Sequence, residues 1–179
     1  MIYIDENNIG LRKVDRDDLS KLRVLKDESW WGTHRVAILN KEDQERWFDD
    51  VSHRGDQLHF ITIAIKDNRT VGIYSMTNID YINRSFSVSR HVFKQYRGQG
   101  YGTPTLEAGL AFSFSVMNMH RSDTEILSTN TSALKCSERC GYVKEGVRRE
   151  AVERFGQYVD SIVLGMLKED WRRARKKVR

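Results

Sequence analysis

The chain has 179 residues, with 30 Lys plus Arg against 25 Asp plus Glu and a net charge of +5. The twelve residues from Lys168 to Arg179 hold seven basic and two acidic groups, so they carry the whole excess and the other 167 residues are neutral. This excludes a uniformly basic nucleic-acid coat; any cationic surface has to be local. Hydrophobic residues at 39% beside 31% charged describe a globular domain, not a disordered chain.

The start of the chain, Met1-Ile2-Tyr3-Ile4-Asp5-Glu6, lacks the basic and long apolar segments of a secretory leader. No apolar run nears the ~20 residues of a membrane span. Cys136 and Cys140 stand four apart in a predicted helix, which suits neither a disulfide nor a zinc site. Core packing is their expected role, in a reduced, cytoplasmic setting without a metal. One domain is expected over residues 1–167, followed by a basic tail, 168–179.

Ile9 to Val14 reads as a strand. Asp15 opens a helix with Asp17 and Asp18 in its first turn and Leu19, Leu22 and Leu25 on one face. Trp30-Trp31-Gly32 breaks it. Asn40 is an N-cap for a second helix, Lys41 to about Val51. The period then changes to that of strands: His59 to Lys66 and Thr70 to Thr77 form a hairpin. From Ser85 to Phe93, Phe86, Val88, Arg90 and Val92 point one way and Ser85, Ser87, Ser89 and His91 the other. A long helix follows, with Leu106, Leu110, Phe114 and Met117 on one face. Thr124 to Ser128 is a strand, Ser132 to Cys140 a helix stopped by Gly141, and Val143–Val152 and Tyr158–Leu167 are two closing strands. The fold class is α/β (α+β): one mixed, mostly antiparallel central sheet flanked by helices.

The segment Arg97-Gly98-Gln99-Gly100-Tyr101-Gly102-Thr103 lies between a strand and a long helix. Its glycines let the backbone turn and approach a ligand, and its N–H groups add to the positive end of the helix, a suitable cradle for phosphate. It has neither the Gly-Lys-Ser/Thr ending of a Walker loop nor the G-x-G-x-x-G of a dinucleotide site. It does fit the Arg/Gln-x-x-Gly-x-Gly/Ala loop that binds the pyrophosphate of coenzyme A. Pro104 is the chain's single proline, where about 9 would be average. It falls in the first helical turn, where a missing N–H costs little. From Tyr81 to Leu106 there are four basic residues, Arg84, Arg90, Lys94 and Arg97, and no acidic ones.

With these residues the chain resembles the GNAT superfamily of N-acetyltransferases, from about Gly10 to Trp171. Val92 to Gly102 resembles the family's acetyl-CoA motif, and Asn130, Ala133-Leu134-Lys135 and Glu138 to Tyr142 resemble its second motif. Glu145-Gly146, Arg149 and Gly156 to Asp160 are similar to the branch of ribosomal-protein N-terminal and polyamine acetyltransferases. The resemblance implies acetyl-CoA as co-substrate. It implies that the main chain around Val92 meets the pantetheine arm and polarises the thioester, a type of donor worth ~2.7–4 kcal/mol. It implies that Arg97, Gly98, Gln99, Gly100, Tyr101, Gly102 and Thr103 cradle the pyrophosphate and that Asn130 bonds the pantetheine. Lys135 and Arg139 either reach the outer phosphates or form a solvated helix face. Where many members have a catalytic acidic Tyr, this chain has Ser137, a much weaker acid that either hydrogen-bonds the sulfur, positions a water or simply packs.

For the proton of the acceptor amine, the candidates are His91, Glu145 and Glu150, each with a structural alternative. Asp160 either binds the amine or pairs with Arg148 or Arg149. Trp30 and Trp31 are candidate lid residues, and Trp47 is a wall or a packing residue. Asp80 and Asn83 read an amine or make a turn. The expected activity is acetyl transfer to a primary amine of a protein N-terminus, polyamine, aminosugar or antibiotic, in a ternary complex. The alternative is a weakly catalytic coenzyme-binding module tethered to nucleic acid, a ribosome or a protein by its tail; a homodimer is compatible with either. Arg97→Glu should weaken coenzyme binding strongly, as measured by calorimetric titration, and removal of 168–179 is expected to leave it nearly unchanged.

Overall fold

The computed structural model describes residues 2–5, 8–34 and 40–178, except the side chains of Ile2, Trp30, Lys177 and Val178. Strands β1 (Ile2–Ile4) and β2 (Ile9–Lys13) come first, then helices α1 (Leu19–Ser29) and α2 (Lys41–His53). Strands β3 (Leu58–Ala64), β4 (Arg69–Asp80) and β5 (Ser85–Val92) lead to α3 (Gly102–Ala111). The chain closes with β6 (Arg121–Leu127), α4 (Thr131–Cys140), β7 (Val143–Arg154), β8 (Gln157–Leu167) and α5 (Lys168–Val178). The strands make one eight-stranded sheet in the order β1-β2-β3-β4-β5-β6-β8-β7. Every neighbouring pair is antiparallel except β5 and β6.

Local signals set the element ends. Asp15 caps a 3-10 turn, Arg16–Asp18, which runs on into α1. The Asp18 carboxylate returns to the Asp15 N–H and pairs with Arg12 at 2.8 Å. Asn40 and Asp43 cap α2 reciprocally, at 2.8 and 3.1 Å. Gly141 ends α4 at φ 103°, a left-handed conformation that glycine adopts without a Cβ penalty. The predicted long helix divides at Ala111: residues Phe112–Val116 widen into a π turn. There the Ser113 hydroxyl donates back to the Gly109 carbonyl at 2.8 Å and lies 3.1 Å from the Tyr74 hydroxyl.

The alternation of β5 assigns the two faces of the sheet. Phe86 and Val88 join Tyr74, Met76 and Ile126 against α3, with Leu106, Leu110 and Phe114 fully buried. Gly109 permits this approach, because a Cβ there would stand 2.2 Å from the Tyr74 ring. On the opposite face Ile61, Ile63, Ile73 and Phe93 pack with Leu19, Leu22 and Leu25 of α1. Helix α2 adds Trp47 and Phe48 to that cluster.

The basic segment at the end is part of the folded body. Trp171 of α5 is buried at 6% exposure, 5.5 Å between centroids from Phe114, and Arg175 stacks over its outer side at 4.9 Å. The Asp170 carboxylate caps the Leu167 N–H at 3.0 Å. Removing 168–179 would therefore strip a wall from the core as well as the charge, so the expectation that coenzyme binding survives this deletion does not hold. Trp171→Ala should cost about 3–5 kcal/mol, the usual range for a large buried aromatic, measured by urea unfolding.

Candidate active site

The site begins where the sheet parts. β5 and β6 pair in parallel only over Ser85–Ser87 and Arg121–Asp123. One step on, the Thr124 hydroxyl donates to the Val88 carbonyl at 3.0 Å, a side chain standing in for the strand pairing. The Phe93 N–H bonds the Val71 carbonyl on the β4 side. Strand alternation then turns the main-chain groups of Val88, Arg90 and Val92 toward the gap.

Beyond Val92 the loop is tied inward by side chains. Arg97 Nε donates to the Val92 carbonyl at 3.0 Å and its Nη1 to the Glu28 carbonyl at 3.3 Å. The Lys94 N–H donates to Glu28 Oε2 at 3.0 Å, and Gln99 Nε2 to the Gln95 carbonyl at 2.6 Å. Arg97 was expected to meet phosphate; its guanidinium instead fastens the loop to β5 and α1. Gly98 and Gly100 have φ of 74° and 87°. A Cβ at either would meet no atom within 4 Å, so conformation, not crowding, calls for glycine. Among the described residues, the N–H groups of Gly98, Gln99, Gly100 and Tyr101 make no close bond to a main-chain carbonyl outside the regular elements. Gly102 and Thr103 open α3, with Pro104 in its first turn. Open space, unclaimed amides and a helix start fit a diphosphate.

Across the gap, Asn130 caps α4: its Oδ1 accepts from the Ala133 N–H at 3.2 Å and the Ser132 hydroxyl at 3.1 Å. Its Nδ2 lies 3.1 Å from where a Cβ on Gly32 would stand. Lys135 and Arg139 are exposed on the outer side of α4. Ser137 is fully buried and faces Arg90, whose guanidinium donates to its hydroxyl at 3.4 and 3.5 Å and to the Ala133 carbonyl at 3.2 Å. Ser137 is thus an acceptor for Arg90, enclosed between α4 and β5. Cys136 instead meets the loop, with its sulfur 3.3 Å from the Thr103 hydroxyl. A hydrogen bond from the Cys140 thiol and the nearby Arg90 charge pull the Cys136 thiol below its ordinary value.

The other face of the parting strands is polar. Register places Ser87, Ser89 and His91 of β5 on one side with Asp123 and Glu125 of β6 and Ser161 of β8. His91 is half-buried, and burial, then Arg90, Arg97 and Lys26, push it down to about 4. It is therefore neutral at pH 7 and a very weak base. Glu145 is not brought to the gap. It lies over Gly165, bonded to Arg121 at 2.5 and 3.0 Å near the start of β6, and that bond holds its carboxyl down. Asp80 also lies at the far end of the sheet; it accepts from the Ile82 and Asn83 N–H groups at 2.9 and 2.8 Å and shapes the turn before β5. Asp160 accepts from the N–H of Glu150 at 2.9 Å, in a bulge where Glu150 has φ 50°. Arg148 pairs with Glu125 at 3.1 Å.

Trp31 is exposed in the turn Trp30–Gly32; the side chain of Trp30 lies outside the described residues. Trp47 packs between Lys26, 4.9 Å above its ring, and His59, 5.0 Å between centroids. The sequence reading missed His34, Glu125 and Ser161, which the fold joins over 127 residues: His34 Nε2 is 2.7 Å from Ser161 Oγ, which donates to Glu125 Oε2 at 3.1 Å. The strand alternation around Glu125 was the one available signal, since His34 sits in an unpatterned loop.

The profile of the family described as "Acetyltransferase (GNAT) domain" matches residues 8–143. The chain belongs to this family. It is 26% identical over 169 residues to the SPbeta prophage-derived uncharacterized N-acetyltransferase YokL of Bacillus subtilis, covering 94% of this chain and 95% of that protein. It is 24% identical over 161 residues to the spermidine N(1)-acetyltransferase of Vibrio cholerae, covering 86% and 90%. A crystal structure of spermidine N-acetyltransferase from Vibrio cholerae in complex with CoA and spermine superposes with a TM-score of 0.87 at 21% identity, over 92% of this chain and 98% of that one.

Gly100→Ala should force a left-handed φ on a residue with a Cβ, at a cost of about 1–2 kcal/mol. Coenzyme affinity should fall while the thermal midpoint drops by only a few degrees, read by calorimetric titration and differential scanning.

Proposed function

We propose that the protein transfers the acetyl group of acetyl-CoA to a primary amine by direct attack in a ternary complex, and that the amine belongs to a polyamine. The observation that carries this reading is the parting of β5 and β6 beside the Gly98–Thr103 loop. One end of the gap offers amides for a diphosphate. Its edge, at Val88, Arg90 and Val92, offers main-chain donors for a pantetheine arm and a thioester oxygen.

The chemistry then follows from placement. The acceptor must lose a proton, because side-chain amines have a pKa near 10.4. Its lone pair attacks the thioester carbon, the thiolate leaves, and the nitrogen gives up a second proton as the amide forms. Thiols titrate near 8.5, so solvent can protonate the departing sulfur, consistent with a buried Ser137. Holding both substrates in the gap supplies much of the acceleration. The similarity to spermidine acetyltransferases supports the same acceptor class.

Free-thiol release from acetyl-CoA, measured with spermidine, spermine, an N-terminal peptide and an aminosugar, tests this. Saturable turnover highest with spermidine or spermine is expected. Turnover only on the peptide or sugar moves the acceptor class. Coenzyme binding with no turnover on any amine overturns the reading in favour of a binding module.

A further inference from the structure

The segment from Trp31 to His34 crosses the polar face of the gap and is held there at three points. Gly32 lies against Asn130, the Thr33 carbonyl accepts from Arg154, and His34 reaches Ser161. The direction of the hydrogen bonds decides the state of the imidazole. The Ser161 hydroxyl has one proton, and it goes to Glu125. The hydroxyl must therefore accept from His34, so Nε2 carries the ring hydrogen and Nδ1 keeps its lone pair. A carboxylate that orients a base through a hydrogen bond is the arrangement of an activated proton acceptor.

The other candidates on this face are less suited. Glu145 is committed to Arg121, and His91 stands beside Arg90, Arg97 and Lys26. The charged groups that face His34 are Glu125 on β6 and Arg148 and Arg154 on β7. Burial lowers its pKa, Glu125 opposes that, and the two arginines add to the lowering. The neutral ring is thus favoured, with Glu125 partly offsetting the burial and the two arginines.

We propose that His34 is the proton acceptor for the attacking amine, oriented by Glu125 through Ser161. This rests on the acetyl-transfer reading above. A proton passes from the acceptor nitrogen to Nδ1 of His34. The freed lone pair forms the N–C bond to the thioester carbon. The C–S bond breaks with its electron pair on the coenzyme thiolate, the second proton of the acylated nitrogen passes to that thiolate, and His34 returns its own proton to solvent. Glu125 and Ser161 are positioning residues in this scheme.

The test is the pH dependence of kcat/KM for spermidine, or for the best amine of the panel, with the full-length chain. The wild type should lose activity as pH falls through the His34 pKa. His34→Gln should lower kcat/KM about 100-fold, the low end for a positioned base, and abolish that acidic limb. Glu125→Gln removes a charge that raises the His34 pKa, so the limb should move to lower pH, a shift that a purely structural role would not produce. Circular dichroism and coenzyme affinity should be unchanged in His34→Gln, and 15N NMR should show the wild-type ring protonated at Nε2. An unaltered acidic limb in His34→Gln, or a ring protonated at Nδ1, overturns the proposal alone. Coenzyme binding without turnover on any amine overturns the acetyltransferase reading and this proposal together.

Discussion

The structure depends on how briefly β5 and β6 stay together. Their parallel register lasts three residue pairs, and everything described as a site lies beyond its end. Two side chains stabilise the opening from within. Thr124 bonds the Val88 carbonyl at the mouth, and Arg90 reaches from β5 to Ser137 and the Ala133 carbonyl of α4. An unpaired strand edge inside a domain is costly unless its polar groups find partners, so such a gap is a place for a ligand to complete the pairing. A pantetheine arm, with its amides in line, is a ligand of that kind.

Charge is organised in space differently from its order in the chain. The acid-free window from Tyr81 to Leu106 reads as one cationic patch, yet the fold distributes its four bases. Arg84 sits at φ 54° in the turn before β5, at the far end of the sheet. Arg90 turns toward α4, Arg97 toward the Val92 and Glu28 carbonyls, and Lys94 is exposed at the loop. Positive potential at the gap comes from Arg90 and Arg97 together with the start of α3. Neither arginine acts as an outward-facing clamp: each bonds main-chain carbonyls and holds the loop or helix in place.

Most elements were legible because they obey a period or carry a cap. The Leu19-Leu22-Leu25 spacing, the Asn40 cap, the β5 alternation and the Gly141 stop all appear in the structure as their local chemistry requires. The misses have physical reasons. Strand β1 has three residues and one partner, too short for alternation to show. The π turn at Phe112 arises from a tertiary contact, Tyr74 against Gly109 and Ser113. Helix α5 looks like a solvated tail by charge, because the single buried Trp171 is outnumbered by arginines and lysines.

By itself, the sequence determined the sheet-and-helix class, the glycine loop at the start of α3 and the family resemblance, since these rest on neighbours in the chain. Only the tertiary structure decided which side chains share the gap. It enclosed Ser137 behind Arg90, drew Glu145 to Arg121, used Asp80 in a turn and brought His34, Glu125 and Ser161 together. Those outcomes depend on strand order and register across more than a hundred residues. A candidate acid or base has one local pattern but many possible partners, and packing alone selects among them.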